Sequence, residues 1–483
     1  MRTEDARAVA EAVARRQGML TEMAREIWRR PELGLLEFRA SERQARALEA
    51  EGFSVRRGVG GMATAIRAGW GEGRPVIAML GEFDALPGLS QTDAPRREAL
   101  EPGGSGHGCG HNLLGTAALG AALALKDVLA ARGLGGTVLY LGCPAEESVD
   151  AKAFMAADGA FEDVDVAFYF HPGDATAASL SSCLATATAT FTFRGAAAHA
   201  AADPERGRSA LDAVELMDVG VNYLREHVPP DVRIHYTITD GGGAPNVVPE
   251  RAASLYFVRA KNRAHVDAAY ARVVDCARGA ALMTGTEVDV RLVDGLWNIL
   301  PNEVAARLLA EAMRLIGPVG FDADDRAWAR AMAEHLPPGA REEAEARYRA
   351  LGWSPGEEPD AALLMDESLG VVGRGEVGFY STDAGDVSWI VPTGFLGVAT
   401  APVGTPGHSW QNVAAAGSGV GMKGMLYAAK AMALAGLGFV LEPGRVAEAR
   451  AEFARATAQS PYRRVVEELV PPPHVPPDAP WRA

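Results

Sequence analysis

The stretch "TVLYLGCPAEES" (residues 137–148) runs from six β-prone residues straight into a cysteine, a proline and two adjacent glutamates. An apolar run this short, rich in β-branched and aromatic side chains and stopped by Pro144, reads as a buried strand with polar chemistry at its end. Two similar runs flank it. "PVIAML" (75–80) leads into "GEFDALPG" with Glu82 and Asp84, and "VDVAFYF" (164–170) leads into "HPGD" with His171. Longer helical patterns separate them, and the alternation predicts an α/β fold with a mainly parallel sheet. Open sheets of this kind bind ligands just beyond the carboxyl ends of their strands. The three loops are therefore expected to converge on one crevice, joined by a fourth from "GFLGVATAPVGTPGHSW" (394–410), which carries His408.

The middle of the chain has another rhythm. "ATATATFTF" (185–193) alternates with period two, and Leu211, Val214, Met217, Val221 and Leu224 then mark one face of a helix. Strands near 233–239 and 250–259, a helix near 263–282 and a strand near 286–294 follow. The order β-α-β-β-α-β is that of a ferredoxin-like unit. Residues 186–297 are accordingly read as an α+β lid, inserted into a catalytic domain built from 1–185 and 298–440. The charged stretch 320–375, broken by "LPPG" and "WSPGEEPD", reads as an accessory insertion, and 441–483 as a C-terminal tail. Its last thirteen residues contain six prolines and are expected to be extended or mobile.

Composition narrows the partners. The 62 acidic against 47 basic residues give a net charge of -15, which repels a phosphate backbone, so no nucleic-acid partner is expected. No run is expected to supply the roughly 18 to 20 apolar residues of a membrane span. The first twenty residues have scattered charges and no signal-like apolar core, which points to the cytoplasm. Cys109, Cys143, Cys183 and Cys276 are widely spaced and form neither a disulfide framework nor a zinc ribbon. The glycines Gly419, Gly421 and Gly424 formally match a dinucleotide fingerprint, but no clear strand precedes them, and helix packing explains them better.

Cys109 differs from the other thiols. In "GHGCGHNLLG" (106–115) glycines alternate with a thiol and two imidazoles, and a glycine-permitted loop can turn Cys109 and His111 toward one point, which a helix cannot. Taken singly, Cys109 is a small buried hydrophobe, His171 a core imidazole, His408 a loop residue and the glutamate pair a helix start. Taken together, Cys109, His111, Glu147, His171 and His408 are donor types suited to two divalent ions, zinc or manganese. Glu146 then remains as a free carboxylate to move protons.

These elements resemble the dinuclear-metal aminoacylases and carboxypeptidases, a family that includes hippurate hydrolases, plant auxin-conjugate amidohydrolases and bacterial aminobenzoyl-glutamate hydrolases. The matching stretches are "EFDALPGLSQ", "GHGCGHNLLGTAALGAA", "PAEE", "FRGAAAHAAADPERGRSALDAVELMDVGVNYLREH", "PNVVP", "STDAGDVSW" and "GTPGHSWQNV", in one order across about residues 20–430. The lid motif and the insertion are most like those of the aminobenzoyl-glutamate branch. The resemblance implies that the five donors above hold the metals, with the Cys109 thiolate helping to hold both, and that Glu146 is the general base. It implies that Asp84 orients a histidine ligand, that His199 of the lid assists the oxyanion in a partner subunit, and that Asn246 binds the substrate's carboxylate or carbonyl. Where many members have a histidine ligand, this chain has Glu82, which is left without a role. The implied activity is hydrolysis of N-acyl or N-aroyl amino acids by a homodimer joined through the lid. A dipeptidase, a deacetylase, or a non-catalytic subunit of a heteromeric hydrolase are the alternatives.

Overall fold

The computed structural model describes residues 1–356 and 360–483. Among the described residues, twelve strands form two sheets: β1 (Ser54–Arg57), β2 (Ile66–Glu72), β3 (Val76–Glu82), β4 (Gly136–Cys143), β5 (Val166–Gly173), β6 (Ala177–Ser179), β7 (Ala185–Arg194), β8 (Arg233–Asp240), β9 (Arg251–Ala260), β10 (Glu287–Asp294), β11 (Val371–Val372) and β12 (Thr393–Ala399). The larger sheet has the order β1-β2-β4-β3-β5-β12-β6-β11. Its centre, β4, β3, β5 and β12, is parallel, while β1, β2 and β6 pair antiparallel toward the margins. Every residue of β3 is buried, which is why its sequence is an almost unbroken apolar run and not an alternating one.

The helices His111–Arg132 and Gly419–Leu441 pack against each other and against this sheet. Both are long and apolar enough to cross a membrane by length and composition, contrary to the expectation that no such run exists, and both are mostly buried inside the fold. Their hydrophobicity is that of core helices covered on nearly all sides. The glycines of the formal fingerprint serve this packing. A Cβ on Gly421 would lie 2.4 Å from the Ala415 carbonyl, and one on Gly424 would lie 2.4 Å from that of Ala399.

The smaller sheet is antiparallel throughout, in the order β10-β7-β9-β8, with helices Ala210–Leu224 and Arg263–Thr284 packed on it. Strand order and connectivity are ferredoxin-like, and this unit has its own core around Phe191, Phe193, Met217 and Tyr256. The charged stretch after 320 contains helices Ala323–Ala333 and Ala340–Ala350. Residues 357–359, within the expected break "WSPGEEPD", lie outside the described residues. The proline-rich end is docked and, contrary to the expectation of an extended or mobile segment, makes two turns, closed by Val475 N to the Pro472 carbonyl and Ala479 N to the Pro476 carbonyl; Trp481 is buried, its carbonyl accepts from Ala63 N, and His474 bonds the Gly34 carbonyl.

Candidate metal centre

The crevice at the carboxyl ends of β3, β4, β5 and β12 is a cleft of about 840 Å³, lined among others by Cys109, Glu146, Glu147, His171 and His408. Each side chain is set by a local device. Gly110 has φ +76°, and a Cβ there would press to 3.0 Å on Pro172, so the backbone between Cys109 and His111 takes a path that a side chain would hinder. Ala145 has φ +54°, a left-handed conformation that costs a non-glycine residue roughly 1–2 kcal/mol. The turn is held by buried Glu37, whose Oε1 accepts from Ala145 N at 2.7 Å while Thr64 Oγ1 donates to its Oε2 at 3.0 Å.

Asp84 ties three elements together. Its Oδ1 lies 2.8 Å from His111 Nδ1 and its Oδ2 accepts from Glu147 N at 2.9 Å. This pins the imidazole by one nitrogen and leaves Nε2 toward Glu82 and Glu147, at 3.2 and 3.9 Å, an arrangement of the kind that fixes tautomer and ring direction in a metal ligand. His171 is held the same way: Nδ1–H donates to the Pro172 carbonyl at 2.8 Å, and Nε2 lies 3.3 Å from Cys109 Sγ. His408 N donates to the Gly108 carbonyl, and its Nε2 is 3.3 Å from Glu147 Oε1.

Two donor triads result, with donor atoms in each within 4.8 Å of one another: Cys109 with His111 and His171, and Cys109 with Glu147 and His408. Cys109 belongs to both. His111 Nε2 and Glu147 Oε1 lie 3.9 Å apart, and neither meets hydrogen-bond geometry although Glu82 Oε2 lies 3.2 Å from the first and His408 Nε2 3.3 Å from the second. Four donor-type groups thus crowd one buried space with poorly directed contacts, which a divalent cation would satisfy. Burial opposes charge on Cys109 and on His111, but the neighbouring imidazoles outweigh it and hold the thiol well below its ordinary range, while Cys109 and Asp84 hold His111 well above its own. The Cys109 thiol and the Glu147 carboxylate beside it raise His408 to about 10. The donor set thus retains protons that a metal displaces on binding. Burial, and then the charges of Glu82 and Glu147, push the Glu146 carboxyl well above its usual value.

His199 and Asn246 stand apart from this cluster. Both are exposed and neither lines the cleft. His199 Nδ1 accepts from Ala201 N and Ala202 N at 3.1 Å, and the strand-like bridge His199–Val247 holds the two segments side by side on the smaller-sheet unit.

A model described as the peptidase dimerisation domain of M20 enzymes matches residues 185–282. A Bacillus subtilis protein described as a dinuclear metal-binding peptidase from the M20 family has the same fold, with TM-score 0.53 at 18% identity, covering 86% of this chain and 97% of its own. The p-aminobenzoyl-glutamate hydrolase of Escherichia coli (strain K12) has a subunit that is 39% identical over 472 residues, 96% of this chain and 98% of that protein. The chain belongs to the M20 family. The Xaa-Arg dipeptidase of Mus musculus is a further M20 relative, 30% identical over 460 residues, 92% of this chain and 91% of that one. Like its M20 relatives, this protein is a metal-dependent amidohydrolase.

The M20 site contains residues whose part the sequence did not disclose. Glu82, His111 and Glu146 form a third group of close donors. Glu82 is already engaged, since Lys152 Nζ bonds both Glu82 Oε1 and Asp383 Oδ1, and Tyr169 OH donates to Glu82 Oε2 at 3.1 Å. Lys152, Glu82 and Asp383 are fully buried. A protein cation therefore sits beside the carboxylate that replaces the expected histidine. "STDAGDVSW" was the available signal for Asp383, whereas Lys152 had none.

Proposed function

We propose that this chain hydrolyses the amide bond of N-acyl and N-aroyl amino acids, with compounds of the aminobenzoyl-glutamate type as its first substrates. The convergence of two donor triads on shared Cys109, with Glu146 beside them, carries the reading. The full-length relationship to one chain of a p-aminobenzoyl-glutamate hydrolase supports the substrate class. Cys109, His111, Glu147, His171 and His408 hold two divalent ions, manganese or zinc. The ions supply acidified water and polarise the carbonyl, a water pKa falling from about 15.7 to about 7 in favourable cases. Glu146 takes a proton from the attacking water and returns it to the leaving amine. Asp84 keeps His111 oriented. His199 of a second subunit assists the carbonyl oxygen as charge develops, and Asn246 binds the substrate's carboxylate or carbonyl. The working unit is a homodimer through the lid, in keeping with the dimerisation domain. Pairing with a related but different chain is the alternative, raised by a relative that is itself one component of a multi-subunit hydrolase. The cytoplasm is the compartment assigned, in keeping with four free cysteines.

The test is a panel of 4-aminobenzoyl-glutamate, benzoyl-glutamate, acetyl-glutamate and dipeptides against manganese- and zinc-loaded protein. The aroyl compounds are expected to turn over best, and Glu146→Gln is expected to keep its metal by elemental analysis while losing at least about a hundredfold in kcat. Full metal content with no turnover except after adding a second, different chain would instead assign the partner role, and preference for dipeptides the dipeptidase role.

A further inference from the structure

The cleft contains acceptors that the hydrolytic step does not use. Ser148, Asp150, Asp294 and Ser381 all line it. Ser148 Oγ, Asp150 Oδ2, Asp294 Oδ1 and Ser381 Oγ are each buried without a hydrogen-bond partner. Asp150 is only 8% exposed, so the lone oxygen belongs to a side chain withdrawn from solvent. The two acids come from different parts of the fold. Asp150 ends the short helix begun by Glu146 and Glu147, and Asp294 ends β10 of the smaller sheet. Both also line one small adjoining cavity, which makes them neighbours.

Among the described residues no cation bonds the orphaned oxygens. Thr188 Oγ1 donates to Asp294 Oδ2 at 3.2 Å, leaving Oδ1 free. Arg259 lines the same cleft but lies over the Phe257 ring, 4.0 Å from its centroid, and bonds neither orphaned oxygen. Burial pushes Asp294 up to about 6, which leaves it mainly anionic at neutral pH. A buried carboxylate oxygen without a donor is a standing cost unless a ligand supplies the donor. Carboxylate oxygens without a donor accept hydrogen bonds, so the place favours an N–H group over the substrate's own carboxylate.

Resting on the amide-hydrolase reading above, we propose that Asp150 and Asp294, with Ser148 and Ser381, form a subsite for an N–H donor group of the substrate remote from the scissile amide. Two kinds of substrate carry such a group: an amino-substituted aromatic acyl chain, or a dipeptide with a basic side chain. The subsite sets specificity and leaves the chemical step to Glu146 and the metal ligands.

The experiment measures kcat/KM for two matched pairs, 4-aminobenzoyl-glutamate against benzoyl-glutamate and glycyl-arginine against glycyl-norleucine, in wild type, Asp150→Asn and Asp294→Asn. Comparing ratios between proteins cancels the ring amino group's effect on amide reactivity. Asparagine tolerates the left-handed φ of +54° at position 150, so that variant keeps its backbone. The N–H preference is expected to fall about tenfold or more in one pair, which identifies the source of the donor. Preferences that stay within about twofold in both pairs and both variants overturn the proposal. Calorimetry on wild type supplies an arm without variants or turnover. Tighter binding of 4-aminobenzoate than benzoate, or of arginine than norleucine, supports the subsite, and equal binding in both pairs overturns it. Wild type that hydrolyses no member of either pair counts against the amide-hydrolase reading alone, since calorimetry still decides the subsite.

Discussion

Glu146 and Glu147 are adjacent in sequence and have different surroundings. Glu147 is engaged by His408 at its side chain and by Asp84 at its backbone, which suits a fixed ligand. Glu146 faces the cleft among Glu82 and Glu147, and burial with like charge raises its proton affinity, which suits a group that accepts and returns protons. The same crowding of acids explains Lys152. Its ammonium lies between Glu82 and Asp383 with no exposure to solvent, so removing it leaves two buried carboxylates uncompensated. Lys152→Met is therefore expected to destabilise the protein by about 3–5 kcal/mol in urea unfolding. The triple variant Lys152→Met, Glu82→Gln, Asp383→Asn is expected to recover much of that loss, and a single variant within about 1 kcal/mol of wild type would show that the cluster has other compensation. The metal-type donors were legible because a cysteine and histidines in a glycine-rich loop are chemically conspicuous. Lys152 was not, because its partners lie 70 and 231 residues away and an isolated lysine in sequence reads as solvated.

At the level of elements, the site depends on how closely the helix His111–Arg132 approaches β3. Gly115 sits at that contact, and a Cβ there would lie 2.4 Å from the Glu82 carbonyl and 3.3 Å from Gln44 Oε1. The obstacle is backbone at the end of the strand that bears Glu82, so Gly115→Ala is expected to cost about 1–3 kcal/mol despite alanine's better helix propensity. A denaturant midpoint equal to wild type would show that the helix can shift freely. The charged stretch after 320 also contributes to the site: Tyr348 lines the cleft and its hydroxyl bonds Asp174, while Gln411 Nε2, three residues past His408, donates to the His335 carbonyl at 2.9 Å. Strand positions were readable from their apolar runs, and the lid strands and helices from alternation and spacing. The docking of the proline-rich tail was not, because proline content reveals neither the turns the tail makes nor that Trp481 finds a buried seat.

At the scale of the whole molecule, the cleft of one chain is lined by Cys109, Glu147, His171 and His408 but by neither His199 nor Asn246, which lie exposed on the smaller-sheet unit. If a second subunit supplies them, two inactive variants complement each other. Mixing Glu146→Gln with His199→Ala chains is expected to restore about a quarter of wild-type activity in a random mixture and about half in purified mixed dimers, each of which has one intact site of two, and no recovery in verified mixed dimers would confine each site to one chain. Fold class and donor set could be read before any coordinates because both follow from local patterns. The relation between lid and cleft could not, since it depends on contacts between distant surfaces. The central claim is that one thiolate joins two metal positions, and anomalous diffraction from crystals loaded with manganese or zinc tests it most directly. Two peaks per chain, both in bonding range of Cys109 Sγ and lost or weakened in Cys109→Ser, are expected; a single peak, or two peaks away from the sulfur, would contradict it.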